Sequence, residues 1–113
     1  MVMVVAIIRP DCLDEVKAAL DDLGVLGISV SEIRGAGRQR GYTHTYRRSE
    51  YQVSLIEKAR LEVVVADWET EEIVAAIQEA AHTGEVGDGK IFLLPVADAI
   101  RIRTGERGEA AIK

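Results

Sequence analysis

Four dense apolar runs separated by two stretches of helical spacing define the order of elements along this chain. Met1–Ile8 is rich in β-branched residues and apolar on both faces, which predicts a buried strand. Pro10-Asp11 stops it, with Asp11 the expected N-cap of a helix and Asp14 and Glu15 well placed near its positive end. Leu13, Val16, Leu20 and Leu23 then recur at helical spacing, and Gly24 suits the left-handed position beyond the helix. Val25–Gly35 predicts a second strand. In the third, Ala59, Leu61, Val63 and Val65 alternate with Arg60, Glu62, Val64 and Ala66. Asp67 is the expected cap of a second helix, whose Ile73, Ile77 and Ala80 line one face. Ile91–Val96 predicts a fourth strand, and Ile100–Ile102 a short fifth. Between the second and third strands lies a polar segment from about residue 37 to 55, expected to be a long loop.

The order βαββαβ predicts an α+β, ferredoxin-like sandwich with two helices on one face of an antiparallel sheet. Two helices cover only one face, yet the first and fourth strands are apolar on both. The uncovered face therefore needs a partner, and a second copy of the chain is the simplest one. Residues 1–113 read as a single domain, without repeats or an interdomain linker.

Charge changes the picture. The chain is −5 overall, but residues 34–60 hold seven basic residues (Arg34, Arg38, Arg40, Arg47, Arg48, Lys58, Arg60) against Glu50 and Glu57. That window is +5 and the remainder −10. All three tyrosines, Tyr42, Tyr46 and Tyr51, fall in the same window. So long a polar segment in a small domain points to function, with a solvated basic loop as the plainer reading. The acidic total argues against nucleic-acid binding. The lone Cys12 excludes an internal disulfide and a cysteine metal cluster, and fits a reducing cytoplasm. The N-terminal run is too short for a membrane span and lacks a basic leader. Trp68 and Phe92 are the aromatics expected in the core.

Candidate chemistry concentrates in Thr83-Gly84-Glu85-Val86-Gly87-Asp88-Gly89-Lys90-Ile91-Phe92. Glycines let backbone N–H groups turn toward an anion, and a lysine beside them adds a point charge suited to phosphate. The spacing is not that of a Walker loop, and the lysine opens a strand instead of a helix. Taken alone, the segment reads as a tight turn; the neighbouring concentration of basic and tyrosine residues favours the phosphate cradle.

These residues resemble the PII family of nitrogen-regulatory signal transducers along the whole chain. Residues 83–92 match that family's C-terminal signature at every fixed position. Tyr46-Arg47-Arg48-Ser49-Glu50-Tyr51 is similar to its loop signature, with Arg48 where glycine is usual. Gly35-Ala36-Gly37-Arg38-Gln39 and Ile100-Arg101-Ile102-Arg103-Thr104-Gly105-Glu106 resemble further family motifs in the expected order.

The resemblance implies a homotrimer that binds ATP or ADP in clefts between subunits, and 2-oxoglutarate together with Mg2+ and ATP. It implies nucleotide contacts from Ile7, Gly35, Gly37, Arg38, Gln39, Glu62, Val64, Gly87, Asp88, Gly89, Lys90, Arg101 and Arg103. Arg101 and Arg103 alternate along an expected extended segment, so they would point the same way and clamp a neighbour's phosphates. For 2-oxoglutarate the implied residues are Gln39, Arg40, Gly41, Lys58, Gly87 and Arg9, with Gln39 as the protein ligand to the metal. Tyr51 stands at a nucleotidylylated position and Ser49 at a phosphorylated one. Tyr46, Arg47, Glu50 and Tyr51 would meet partners: enzymes, regulators, a modifying nucleotidyltransferase or a membrane ammonium channel. Such a protein would be cytoplasmic, reaching the membrane only through a partner, and would not be an enzyme. The alternative is a nucleotide-dependent phosphotransferase on the same fold, against which stands the lack of a nucleophile and base; His44 and His82 are isolated.

Overall fold

The computed structural model describes residues 1–36 and 55–113, and the backbone of 43–46 and 49–52. The strands are β1 (Val2–Ile8), β2 (Ile28–Gly35), β3 (Thr43–Tyr46), β4 (Ser49–Gln52), β5 (Ile56–Val65) and β6 (Gly89–Pro95). The helices are α1 (Leu13–Asp22), α2 (Thr70–Ala81) and the single turn α3 (Glu109–Ile112). Four strands form one antiparallel sheet in the order β2-β5-β1-β6, as the βαββαβ pattern predicts. Alternation puts Val4, Ala6 and Ile8 of β1, with Ala59, Leu61, Val63 and Val65 of β5, on one face. Val16 and Leu20 of α1 and Ile73, Ile77 and Ala81 of α2 bury that face in one core.

The opposite face carries Met3, Val5 and Ile7 beside Val64 and Glu62 on one side and Leu94, Phe92 and Lys90 on the other. Neither α1 nor α2 covers it, and Phe92 and Leu94 remain 50% and 45% exposed. Placing Phe92 in the core is therefore corrected: its register with Val5 turns it to the helix-free side. Trp68 is likewise outside the core, 73% exposed, because its ring lies over the C-terminal residues with Nε1 donating to Glu109 Oε1 at 2.9 Å.

Local chemistry moves several element boundaries. Pro10 sets a tight 3-10 turn over Pro10–Cys12, so α1 starts at Leu13 and Asp11 does not cap it. At the far end Gly24 takes φ +76°, while its N–H bonds to Asp21 O and that of Val25 to Leu20 O, at 2.9 and 3.0 Å. This paired closure keeps Val25 with the helix and delays β2 to Ile28. Asp67 also fails as a cap: its carboxylate pairs with the N-terminal amine at 3.0 Å, while Glu69 Oε1 accepts from Ala66 N–H. Residues expected to be loop carry the β3–β4 ladder, in register Thr43↔Gln52 to Tyr46↔Ser49. Thr43, Thr45, Tyr46 and Tyr51 have the β-branched or aromatic side chains that favour a pleated strand, and the charge pattern masked that preference. Ile100–Ile102 does not form a fifth strand; one bridge, Ile100↔Arg107, closes a turn there instead. No described helix is long and apolar enough to cross a membrane.

Candidate functional site

The glycine segment enters β6 through a chain reversal that needs positive φ at three positions: Gly84 (+88°), Gly87 (+106°) and Gly89 (+101°). Gly89 has a second constraint. A Cβ there would lie 1.7 Å from the Ile7 carbonyl oxygen, so only a bare backbone fits this close against β1.

Asp88 organises the turn from within. Its carboxylate accepts from the Thr83 hydroxyl, from Thr83 N–H at 2.8 Å, from Gly84 N–H at 2.9 Å and from Arg9 Nε at 3.1 Å. The Thr83 hydroxyl and amide, joined by Gly84 N–H and Arg9, hold this carboxyl well below the usual carboxylate range. Arg9 also donates from Nη2 to Val86 O at 2.8 Å, tying the turn to the residue that follows β1.

Lys58 reaches the turn from β5, donating from Nζ to Gly87 O at 2.6 Å. Burial lowers its pKa first and the Arg9 guanidinium second, while Asp88 acts in the opposite direction. Around these groups opens a cleft of about 620 Å³ lined by Ile7, Gly35, Ala36, Ile56, Lys58, Phe92 and the whole stretch Glu85 to Lys90. All four strands of the sheet thus deliver residues to one end. Lys58 and Lys90 stand among the apolar residues Ile56, Ile7 and Phe92, since Lys90 pairs directly with Ile7 and lies two residues from Phe92 on β6, as Lys58 lies two from Ile56 on β5. Such a site suits an anionic ligand with a flat or apolar portion.

The structure brings together Ile7, Gly35, Lys58, Gly87, Asp88, Gly89 and Lys90 from the expected set, with Arg9 bonded to the turn. Glu62 and Val64 lie on the helix-free face away from this lining, and Glu62 accepts from Arg60 Nε at 2.6 Å. Gly37, Arg38, Gln39, Arg40, Gly41 and Arg47 lie outside the described residues. Tyr46, Ser49, Glu50 and Tyr51 sit on the β3–β4 ladder.

Arg101 and Arg103 do not occupy an extended segment. The chain turns over residues 102–104, and the Arg101 guanidinium bonds to Glu106 and to two carbonyls near the C-terminus. Gly105, at φ +75° with its N–H on Arg101 O at 2.7 Å, makes that reversal, so alternation gives no shared direction to the two arginines. Missing from the expected site were Thr83, which fixes Asp88, and Ala36, Ile56, Glu85, Val86 and Phe92 of the lining. Thr83 was legible as the first residue of the glycine signature; the walls emerge only from strand register. Among the described residues no group of three His, Cys, Asp or Glu side chains is arranged to hold a metal.

The fold and cleft define a small α+β class with a glycine-turn cleft at one end of its sheet, and comparison with known proteins narrows it. The family model for nitrogen regulatory protein P-II matches residues 1–106. A relative of that name from Azospirillum brasilense is 54% identical over 107 residues, covering 95% of this chain and 96% of its own length. Another, from Nostoc punctiforme, is 54% identical over 112 residues, or 99% of this chain and 100% of that one. The crystal structure of Arabidopsis thaliana PII bound to citrate aligns with a TM-score of 0.81 and 41% identity, over 99% of this chain and 89% of that chain. The chain belongs to the nitrogen regulatory protein P-II family. Its relatives are named for regulation, and it is a regulatory signal protein, not an enzyme.

Proposed function

We propose that this protein works as a homotrimeric sensor that binds ATP or ADP in the cleft at the glycine turn and 2-oxoglutarate beside it. It would report their levels through residues 37–55 to target proteins. The observation that carries this reading is the meeting of Arg9, Lys58 and Lys90 with the turn Gly87 to Gly89 beside Ile7 and Phe92. Phosphates need the cations and a glycine backbone that allows close approach; the base needs the apolar walls.

Lys58, with Arg9 assisting, is the partner for the carboxylates of 2-oxoglutarate. That an Arabidopsis relative holds citrate supports an organic-acid ligand on this fold. Mg2+ would be held by the triphosphate and Gln39, since an uncharged amide oxygen adds no repulsion to two anions. Arg38 and, from a neighbouring subunit, Arg101 and Arg103 would complete the phosphate contacts. The exposed apolar helix-free face, with Phe92 and Leu94, supports assembly with further copies of the chain.

In the loop, Tyr46, Arg47, Glu50 and Tyr51 would meet targets such as enzymes, regulators or a membrane ammonium channel. Tyr51 or Ser49 would be the residue modified, by a nucleotidyltransferase or a kinase. Calorimetric titration of 2-oxoglutarate tests the reading. Binding is expected with Mg2+ and ATP present and not with ADP; equal affinity with and without Mg2+ and ATP would refute the coupling.

A further inference from the structure

Arg101 is committed to its own C-terminus. Nη1 donates to Glu106 Oε1 at 2.8 Å, and Nη2 to both Ala110 O at 3.0 Å and Lys113 O. Nη2 belongs to both edges through which a guanidinium grips an oxyanion in bidentate fashion, the edge shared with Nε and the edge shared with Nη1. With both of its protons on tail carbonyls, neither edge is open to a phosphate. The tail is in turn fastened to the body at one place. Trp68 Nε1 donates to Glu109 Oε1 at 2.9 Å, the Lys113 ammonium stands 4.9 Å from the Trp68 ring centroid, and it reaches Glu69 Oε2 at 3.4 Å. These contacts are surface contacts, with Trp68 73% exposed, so they are strong enough to bias the tail and weak enough to release it.

We infer that residues 109–113 are an autoinhibitory latch: docked on Trp68, they hold Arg101 away from a polyphosphate, and the ligand and the tail compete for one guanidinium. The inference rests on the reading of Arg101 as a phosphate contact given above. It explains why the protein's only tryptophan is an exposed residue bound to the last turn of the chain instead of a core residue. It also gives Glu106 a role, since that carboxylate accepts from Nη1 and steadies the closed form.

The single tryptophan makes the latch directly observable. Emission from Trp68, excited at the red edge of its band to avoid adenine, is expected to shift when Mg2+ and ATP are titrated in, as Glu109 and Lys113 leave the ring. Deleting residues 109–113 should remove that shift and tighten ATP binding about 3–10-fold, the gain expected if the tail is docked some two-thirds to nine-tenths of the time. Glu109→Ala, which removes only the acceptor on Trp68, should give a smaller gain in the same direction, and guards against a deletion that disturbs folding. Equal ATP affinity in the intact and shortened chains with an unmoved Trp68 signal overturns the latch and leaves the nucleotide reading standing. Failure of both chains to bind ATP overturns the nucleotide reading and the latch together. Binding by the shortened chain alone supports the latch in its strongest form.

Discussion

Replacing Gly89 with alanine should be among the most damaging small changes available to this fold. Two costs add. A non-glycine residue at φ +101° is strained by about 1–3 kcal/mol. The new Cβ also falls 1.7 Å from Ile7 O, 2.8 Å from Ile7 C and 3.3 Å from Ile8 Cα. All three are backbone atoms of β1, at the centre of the sheet, so no flexible side chain can yield. The first turn of β6 must move away, and forced overpacking of this kind costs about 1–3 kcal/mol. The sum, about 2–6 kcal/mol, is a large part of the 5–15 kcal/mol typical of a domain. At roughly 4 °C per kcal/mol it lowers the melting temperature by about 8–24 °C. Gly24→Ala is the control, since Gly24 has φ +76° but a Cβ there would meet no atom within 4 Å, leaving only the conformational cost of about 1–2 kcal/mol. Thermal unfolding of both variants at one protein concentration separates clash from strain. If Gly89→Ala melts no lower than Gly24→Ala, the close packing on Ile7 is not what requires glycine.

Three further outcomes are expected. Asp88 is held below the ordinary carboxylate range by Thr83, Gly84 and Arg9, so its contribution to stability is present above the unfolded pKa near 4 and is lost as pH falls through the folded value. Urea midpoints of Asp88→Asn should therefore fall less steeply below about pH 4 than those of the wild type, though not flatten, because Arg107 holds Asp98 low as well; an unchanged acid limb would refute the clamp. Leu94→Glu on the helix-free face, outside the cleft lining, should yield a monomer by light scattering, and an intact trimer would show that another surface assembles the protein. Arg47→Ala should cost partner capture about 2–4 kcal/mol as a buried anchor, whereas Arg48→Gly should cost only about 0–1 kcal/mol; reversed effects in pull-downs would make Arg48 the specificity residue.

In the four-stranded sheet β1, β5 and β6 were legible because they alternate or run largely apolar. Two helices were equally clear, but their ends were not: Asp11 and Asp67 have the right side chains for caps, and Pro10 and the N-terminal amine claim those places. Trp68 and Phe92 were misplaced for a related reason. Size and hydrophobicity predict burial on average, while register and a bond to Glu109 decide the individual case. In the site, the glycine turn and Lys90 announced themselves by local spacing, whereas the walls Ile56 and Phe92 are ordinary apolar residues until four strands place them side by side. Arg101 failed the alternation argument because one glycine reversed the chain, and glycine at position 105 carries no mark that distinguishes a turn from a kinked strand.

Residues 7, 35, 58 and 90 meet at one end of a sheet whose order is β2-β5-β1-β6. No contiguous half of the chain contains the cleft, so a partly folded chain has nothing with which to hold a ligand. Occupancy by the proposed ligand would thereby be linked to completion of the entire sheet, and each bound molecule would shift the folding equilibrium of the whole chain by mass action. A cell rich in ligand would keep this protein folded and resistant to proteolysis, and one depleted of it would expose the same chain to turnover. Under the proposed function, abundance as well as conformation would then report the ligand.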